Sequence, residues 1–150
     1  MPTHRLTRQQ WIPKTVEDAW AFFSRPENLE EITPPFLRFQ IVSAERELRR
    51  GSRIEYRLRV RGLPMRWVSE ISEWEPPYRF VDTQQRGPYK LWRHQHIFSP
   101  EAGGTRITDD VEYALPLGPL GELAHTLVVR RDVEGIFEFR QKRLAELLGA

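Results

Sequence analysis

The chain has 150 residues and no cysteine, which excludes disulfide bonds, a thiolate nucleophile and cysteine-ligated zinc. No apolar run approaches the ~18 residues of a membrane span, and the first ten residues lack the apolar stretch of a signal peptide. We therefore expect one cytoplasmic domain over residues 1–150, without stable membrane insertion. The net charge is only +2, and the 21 acidic residues are interspersed with the 23 basic ones, so the arginine-rich segments predict a solvated sheet face rather than a nucleic-acid surface.

The first quarter of the chain predicts one strand and two short helices. The strand covers residues 6–12 and ends at Pro13, because proline cannot donate to a sheet. Thr15 is a suitable N-cap for a helix that ends at residue 23. A second short helix at 24–32 stops before two consecutive prolines.

The middle of the chain predicts an antiparallel meander. Residues 53–61 alternate charged and apolar side chains with a period of two, which is typical of a strand with one buried face. Short turns separate the successive apolar runs, and most of these turns contain glycine or proline. The predicted strands are 36–43, 53–61, 65–74, 78–85, 89–98 and 105–115.

The last quarter of the chain predicts one long helix over residues 120–148, about 40 Å in length. Its mostly apolar stripe contains one arginine, so we expect this helix to cover the inner face of the sheet. The stripe consists of Val129, Val133, Ile136, Phe137, Arg140, Leu144 and Leu147.

The inner face of the predicted sheet carries polar groups among aromatic ones. Alternation places His94 and His96 on the same face as Trp92 and Phe98. A sheet that buries polar groups among aromatic side chains usually lines a ligand pocket rather than a solid core.

Aligning the strands by their turns places Asp82, His94 and Asp109 in one row, with cross-strand Cβ separations of ~5 Å. This row has three interpretations: a structural network completed by an arginine of the long helix, a group that orients a ligand, or an acid–base pair. We do not expect a metal site, because nothing marks a fourth ligand beside His94, His96 and Asp109. His4 and His125 are expected as isolated surface residues.

The order of strand, two short helices, six-stranded meander and long helix resembles the START / polyketide-cyclase superfamily (SRPBCC), in a bacterial stand-alone branch. The segments that carry the resemblance are 12–13, 16–20, 80–82, 87–98, 104–113 and 136–140. The resemblance implies the α+β helix-grip fold, in which a curved seven-stranded antiparallel sheet wraps a long C-terminal helix. It also implies a cavity between sheet and helix, and it carries no shared catalytic motif that maps here. Similar proteins bind sterols, phospholipids, quinones, polyketides or plant hormones.

We therefore expect a non-enzymatic carrier or sensor of a small hydrophobic or amphipathic molecule, such as a lipid, a quinone or a polyketide, with no cofactor. Asp82, His94 and Asp109 would supply polar recognition. The residues expected to contact the ligand are Tyr56, Leu58, Trp67, Ile71, Phe80, Trp92, His94, His96, Asp109, Val111 and Tyr113.

Two alternatives remain open. The first is a polyketide cyclase or dehydratase in which His94 acts as general base and Asp109 orients it. The second is a homodimeric interaction module with Trp11 and Trp74 as exposed anchors, although we expect both tryptophans to pack at the sheet ends.

Overall fold

A computed structural model describes residues 2–149 and contains one seven-stranded antiparallel sheet, in the order β1-β7-β6-β5-β4-β3-β2. The strands are β1 (His4–Ile12), β2 (Gln40–Ala44), β3 (Arg53–Val60), β4 (Leu63–Glu75), β5 (Arg79–Arg86), β6 (Leu91–Glu101) and β7 (Gly104–Ala114). The helices are α1 (Val16–Phe23), α2 (Asn28–Glu31), α3 (Gly118–Ala124) and α4 (Arg130–Leu148). A 3₁₀ turn (Pro35–Leu37) precedes β2, and a π-helical turn (His125–Val129) joins α3 to α4.

The sheet is curved, and irregularities in β2 and β4 account for part of this curvature. Register shifts occur between Ile41 and Ser43 in β2, and at two places in the 13-residue strand β4. Bulges of this kind bend a strand and increase its twist. The concave face receives the alternating buried side chains that the sequence pattern predicts.

The C-terminal segment α3–π turn–α4 runs continuously from Gly118 to Leu148 and packs on the concave face. Leu117 takes a left-handed conformation, with φ of 71°, and turns the chain from β7 into α3. A side chain at Gly121 would place its Cβ 2.0 Å from the Pro116 carbonyl oxygen, so only glycine fits this close turn.

The helix-grip prediction is confirmed, while several element boundaries differ. Residues Pro35–Leu37 form a 3₁₀ turn, so β2 begins at Gln40 rather than at residue 36. The second helix is only Asn28–Glu31, and the C-terminal helix begins two residues earlier than predicted. Across residues 2–149, no helix is both long and apolar enough to span a membrane.

Candidate functional site

A cavity of about 540 Å³ lies between the concave face of the sheet and the C-terminal helix. Most of its walls are aromatic or aliphatic, and its floor is polar. Nine of the residues expected to contact the ligand or to supply polar recognition line it: Tyr56, Leu58, Trp67, Ile71, Phe80, Asp82, Trp92, His94 and His96.

Three other predicted contacts, Asp109, Val111 and Tyr113, are buried but do not line this cavity. Val111 and Tyr113 belong to the same core cluster as Val133 and Phe137 of α4, which lie over this part of β7. Asp109 instead contacts residues that do line the cavity.

The polar floor consists of two aspartate–histidine pairs. His94 Nε2 lies 2.8 Å from Asp109 Oδ1, and His96 Nε2 lies 2.6 Å from Asp82 Oδ2. Because carboxylates accept hydrogen bonds, each imidazole donates through its Nε2 proton. Both pairs are diagonal, since His94 stands opposite Asp82 and His96 stands opposite Asp109 in the strand register.

The predicted register between β6 and β7 was wrong by two residues. The strands continue to Glu101 and Gly104, and Ala102 and Gly103 form a two-residue turn with positive φ at both positions. His94 therefore faces Val111 instead of Asp109. A shift of two keeps every side chain on its face, and the imidazole still reaches Asp109 across the diagonal.

Arg140 of α4 completes the floor and was missing from the predicted site residues. Its Nη2 and Nε donate to the two oxygens of Asp109, at 3.0 and 3.2 Å. The guanidinium carbon also lies 5.1 Å from the centre of the Phe23 ring. The signal in the sequence was a single arginine on an otherwise apolar helix stripe.

The floor imidazoles are held by stacking as well as by hydrogen bonds. The His94 and His96 ring centres are 3.7 Å apart, and Phe80 stacks on the other face of His96 at 4.1 Å. Phe137 meets His94 edge-on at 5.3 Å. Each ring therefore has its orientation fixed by neighbours on the sheet and on the helix.

The electrostatics of the floor favour ionised carboxylates beside a neutral His96. Burial alone would raise the pKa of Asp109, but the charge of Arg140 and the hydrogen bond from His94 hold that pKa well below its usual range. The pKa of Asp82 is likewise lowered, because the His96 hydrogen bond and nearby positive charges offset its burial. Burial, followed by repulsion from His94, lowers the pKa of His96 to about 4.

A second polar group lies on the cavity wall formed by β3 and β4. Ser69 accepts a hydrogen bond from the Trp67 indole at 3.0 Å and shares another with the Tyr56 hydroxyl at 3.1 Å. Burial raises the pKa of Tyr56, with the charge of Asp82 as the next cause, so the phenol is neutral. These hydrogen bonds satisfy the polar atoms of two aromatic side chains in the cavity wall, Tyr56 and Trp67.

The arrangement of the floor bears on metal binding. Asp82, His94 and His96 each place one ligand atom within 4.8 Å of the others, a spacing that a divalent cation could use. However, Arg140 Nη2 already lies 3.4 Å from His96 Nδ1. Because a guanidinium and a metal ion repel each other, we interpret this group as an ion-pair network.

His4 and His125 are not isolated, and that prediction was wrong. Their rings stack with centres 3.5 Å apart, because β1 pairs with β7 and the π-helical turn brings His125 over the same strand. His125 Nε2 is 2.8 Å from the Tyr113 hydroxyl, and His4 Nε2 is 3.0 Å from Glu122 Oε1. With Glu122, the two imidazoles form another group with metal-ligand spacing.

One side of the cavity is bounded by an ion pair between a turn and the helix. Arg61, in the turn between β3 and β4, donates through Nη2 and Nε to Asp132 of α4, at 2.8 and 3.1 Å. Both residues line the cavity. The pair therefore links the sheet to the helix beside the cavity.

Trp11 and Trp74 are engaged within the chain. The Trp11 indole donates to the Glu101 carbonyl at 2.7 Å, and Trp74 packs on Trp20 and Phe80 with ring centres 4.7 and 5.6 Å away. Within residues 2–149, these contacts favour packing at the sheet over the role of dimer anchors.

The fold and the placement of the cavity define the chain as a helix-grip protein. Its residues 3–149 match the family model described as polyketide cyclase / dehydrase and lipid transport. Because this match spans nearly the whole chain, the protein belongs to that family. No curated protein matches it significantly in sequence.

Solved structures share the same architecture. Protein CV1439 from Chromobacterium violaceum aligns with a TM-score of 0.73 at 17% identity, over 100% of this chain and 99% of its own. Protein Ms6760 from Mycobacterium smegmatis aligns with a TM-score of 0.71 at 20% identity, over 97% and 90%. A nucleoside-diphosphate sugar epimerase from Corynebacterium glutamicum is 30% identical with a TM-score of 0.67, but the match covers 94% of this chain and only 28% of that one.

Proposed function

We propose that residues 1–150 form one ligand-binding domain, which carries or senses a small hydrophobic or amphipathic molecule in the cavity between the sheet and the C-terminal helix. Lipids, quinones and polyketide-like molecules are the classes of ligand that fit this description. The family description, which combines polyketide chemistry with lipid transport, supports both the cavity and this range of ligands.

The observation that carries the proposal is the cavity itself. Its volume of about 540 Å³ falls within the ~300–1,000 Å³ of typical small-molecule sites. Aromatic and aliphatic walls surround a few convergent polar groups, which is the usual composition of such a site. Apolar area that a ligand covers here contributes roughly 25 cal/mol per Å² to binding.

Part of the cavity wall is a cluster of aromatic side chains. Trp67 and Trp92 meet edge to face at 5.4 Å, and Tyr89 packs against both, at 5.6 and 4.8 Å. Aromatic side chains offer large apolar surfaces in defined relative orientations. A wall of this composition supports the binding of an apolar ligand.

Native mass spectrometry of the protein purified under mild conditions tests this proposal. We expect an adduct of small-molecule mass, and the Ile136→Trp variant, which fills the cavity from α4, should lose it. Leu123→Trp is the matched control, since this exposed position on α3 does not line the cavity. Bare protein from several expression hosts, or equal adducts in both variants, would contradict the proposal.

A second candidate function is supported by the orientation of His94. Asp109 holds His94 Nε2, and His94 lines the cavity, so the other ring nitrogen is available as a general base. Such a pair suits proton abstraction next to a carbonyl, as polyketide cyclisation and dehydration require.

Deuterium exchange into a β-diketone in heavy water, followed by NMR, tests this second candidate. Enzyme-dependent exchange that disappears in His94→Gln and persists in His4→Gln would support it. An exchange rate equal to that of buffer alone would contradict the catalytic role while leaving the carrier proposal intact.

A further inference from the structure

Two polar atoms on the cavity floor lack partners among residues 2–149. Asp82 uses Oδ2 to accept from His96, while its Oδ1 makes no hydrogen bond. His94 uses Nε2 to donate to Asp109, while its Nδ1 makes none. No side-chain nitrogen or oxygen atom of residues 2–149 is both fully buried and without a hydrogen-bond partner, so both atoms are accessible to solvent-sized space. Both residues line the cavity.

The hydrogen-bond pattern fixes which atoms carry protons. His96 donates from Nε2 to Asp82, and its Nδ1 faces an Arg140 N–H at 3.4 Å, so Nδ1 is the unprotonated nitrogen. His94 donates from Nε2 to Asp109, which leaves Nδ1 as its unbonded ring nitrogen. The open oxygen of Asp82 is therefore an acceptor, and the open nitrogen of His94 lies on the same floor.

The two carboxylates of the floor have different partners. Arg140 donates to both oxygens of Asp109, so the charge of that carboxylate is matched by the guanidinium. Asp82 accepts from His96 and from no arginine or lysine among residues 2–149, so its negative charge lies at the surface of an otherwise apolar cavity.

The spacing between His94 and Asp82 leaves room for a donor atom between them. His94 Nδ1 lies 3.8 Å from Asp82 Oδ2, which is too long for a direct hydrogen bond. The nitrogen of an amine could approach both atoms at about 2.8 Å, whereas a hydroxyl has one proton and donates to one acceptor. Oδ2 has a further lone pair for such a bond, because a carboxylate oxygen can accept more than one.

We propose that the cavity selects amphipathic molecules whose polar end, a hydroxyl or an amine, donates a hydrogen bond to Asp82 beside His94, and that it discriminates against carboxylates. This inference rests on the proposed ligand-binding function. Burial of a carboxylate ligand beside Asp82 would place like charges together in an apolar site, which is unfavourable. A donor head group instead supplies the hydrogen bond that Asp82 Oδ1 lacks.

Calorimetric titration with four ligands that share one apolar body tests the inference. The ligands are naphthol, its methyl ether, naphthylmethylamine and naphthoate. We expect naphthol or the amine to bind roughly tenfold or more tightly than the ether, because a hydrogen bond to a charged group is gained, and naphthoate to bind most weakly. Whichever of naphthol and naphthylmethylamine binds more tightly identifies the preferred head group as a hydroxyl or an amine.

Two variants with the same change in net charge sharpen the test. Asp82→Asn replaces the open acceptor with an amide and should abolish the preference over the ether. Asp110→Asn removes a carboxylate that pairs with Arg5 on the outer face, and it should leave the order of affinities unchanged. If a variant folds poorly, the affinities of the four ligands for the unsubstituted protein still test the inference.

The outcomes separate the two proposals. Naphthoate binding as tightly as naphthol, or equal affinities for naphthol, amine and ether, would overturn this inference and leave the carrier function standing. Absence of binding by all four ligands, together with bare protein in native mass spectrometry, would overturn both. Loss of the preference in Asp110→Asn as well would trace it to net charge rather than to the cavity floor, and this too would overturn the inference.

Discussion

The four histidines of the chain form two stacked pairs with almost the same ring geometry and very different neighbours. His94 and His96 stack at 3.7 Å on the cavity floor, and His4 and His125 stack at 3.5 Å between β1 and the π-helical turn. The floor pair contacts the buried Asp109, the partly buried Asp82 and the buried Arg140. The outer pair contacts a partly exposed glutamate and a tyrosine hydroxyl.

The comparison shows that partners, rather than stacking, set the energetic role of each pair. Burial, followed by repulsion from the neighbouring imidazole, lowers the pKa of both His96 and His125, so the same two causes act in both pairs. Only the floor pair is tied to buried charges, and the removal of one buried charge leaves another unpaired. We therefore expect substitutions on the floor to cost several times more stability than equivalent ones at the outer pair.

Asp109→Asn should give the largest effect. It leaves the buried Arg140 charge without its carboxylate, so we expect the free energy of unfolding to fall by roughly 3–5 kcal/mol. Urea denaturation followed by tryptophan fluorescence measures this loss. The adjacent Asp110→Asn, which breaks an exposed pair with Arg5, should cost less than about 1 kcal/mol. Equal and small losses in both variants would contradict the expected difference between a buried and an exposed ion pair.

The second prediction concerns acid. The pKa of His96 is about 4 in the folded state against 6.5 ordinarily, so between these values the unfolded state binds more protons. The free energy of unfolding should therefore fall as the pH drops from about 6.5 to about 4, by up to a few kcal/mol. The lowered pKa values of Asp82 and Asp109 add a further loss below about pH 4, where unfolded aspartates protonate.

Unfolding curves measured across this pH range check the acid prediction. His96→Gln should flatten the dependence between about pH 6.5 and pH 4, because the titrating group is gone. His125→Gln should flatten it less, since the outer pair is closer to solvent. An unchanged pH dependence in His96→Gln would show that another group controls the response.

Alternation along the strands predicted which side chains meet on the floor, even though one register was wrong. Parity alone assigns Asp82, His94, His96 and Asp109 to the concave face, and a shift of two residues preserves that assignment. Long polar side chains also reach diagonal neighbours, so the expected network formed with different partners. The position of the two-residue turn at Ala102-Gly103, which sets the register between β6 and β7, was not evident from the sequence.

The contact between His4 and His125 could not be predicted from alternation along the strands. His4 and His125 are separated by more than a hundred residues, and no periodic pattern relates them. Their contact depends on the pairing of β1 with β7 and on a π-helical turn that shifts the helix face at His125. Cavity volume was equally hidden, because the same aromatic residues could have packed without a void.

Tyr113→Phe tests the hydrogen bond that anchors the outer pair. The hydroxyl lies 2.8 Å from the buried His125 Nε2, so its removal leaves a polar atom without a partner and should cost about 1–2 kcal/mol. Tyr78→Phe is the matched control, since this tyrosine is exposed, and its loss should be within about 0.5 kcal/mol of zero. Urea denaturation measures the loss of stability in both variants. A larger loss for Tyr113→Phe than for Asp109→Asn would contradict the expectation that substitutions on the floor cost more stability than those at the outer pair.

Glu122→Gln should give the smallest effect, because the charge it removes is accessible to solvent. The carboxylate lies 3.0 Å from His4 Nε2, with side chains 32% and 21% exposed, so water and salt screen the pair. We expect a loss below about 1 kcal/mol near neutral pH, since the amide oxygen can still accept the hydrogen bond. Denaturation of Glu122→Gln at low and high ionic strength checks this expectation. A large loss of stability that salt does not reduce would mean that the outer pair, like the floor, depends on a buried charge.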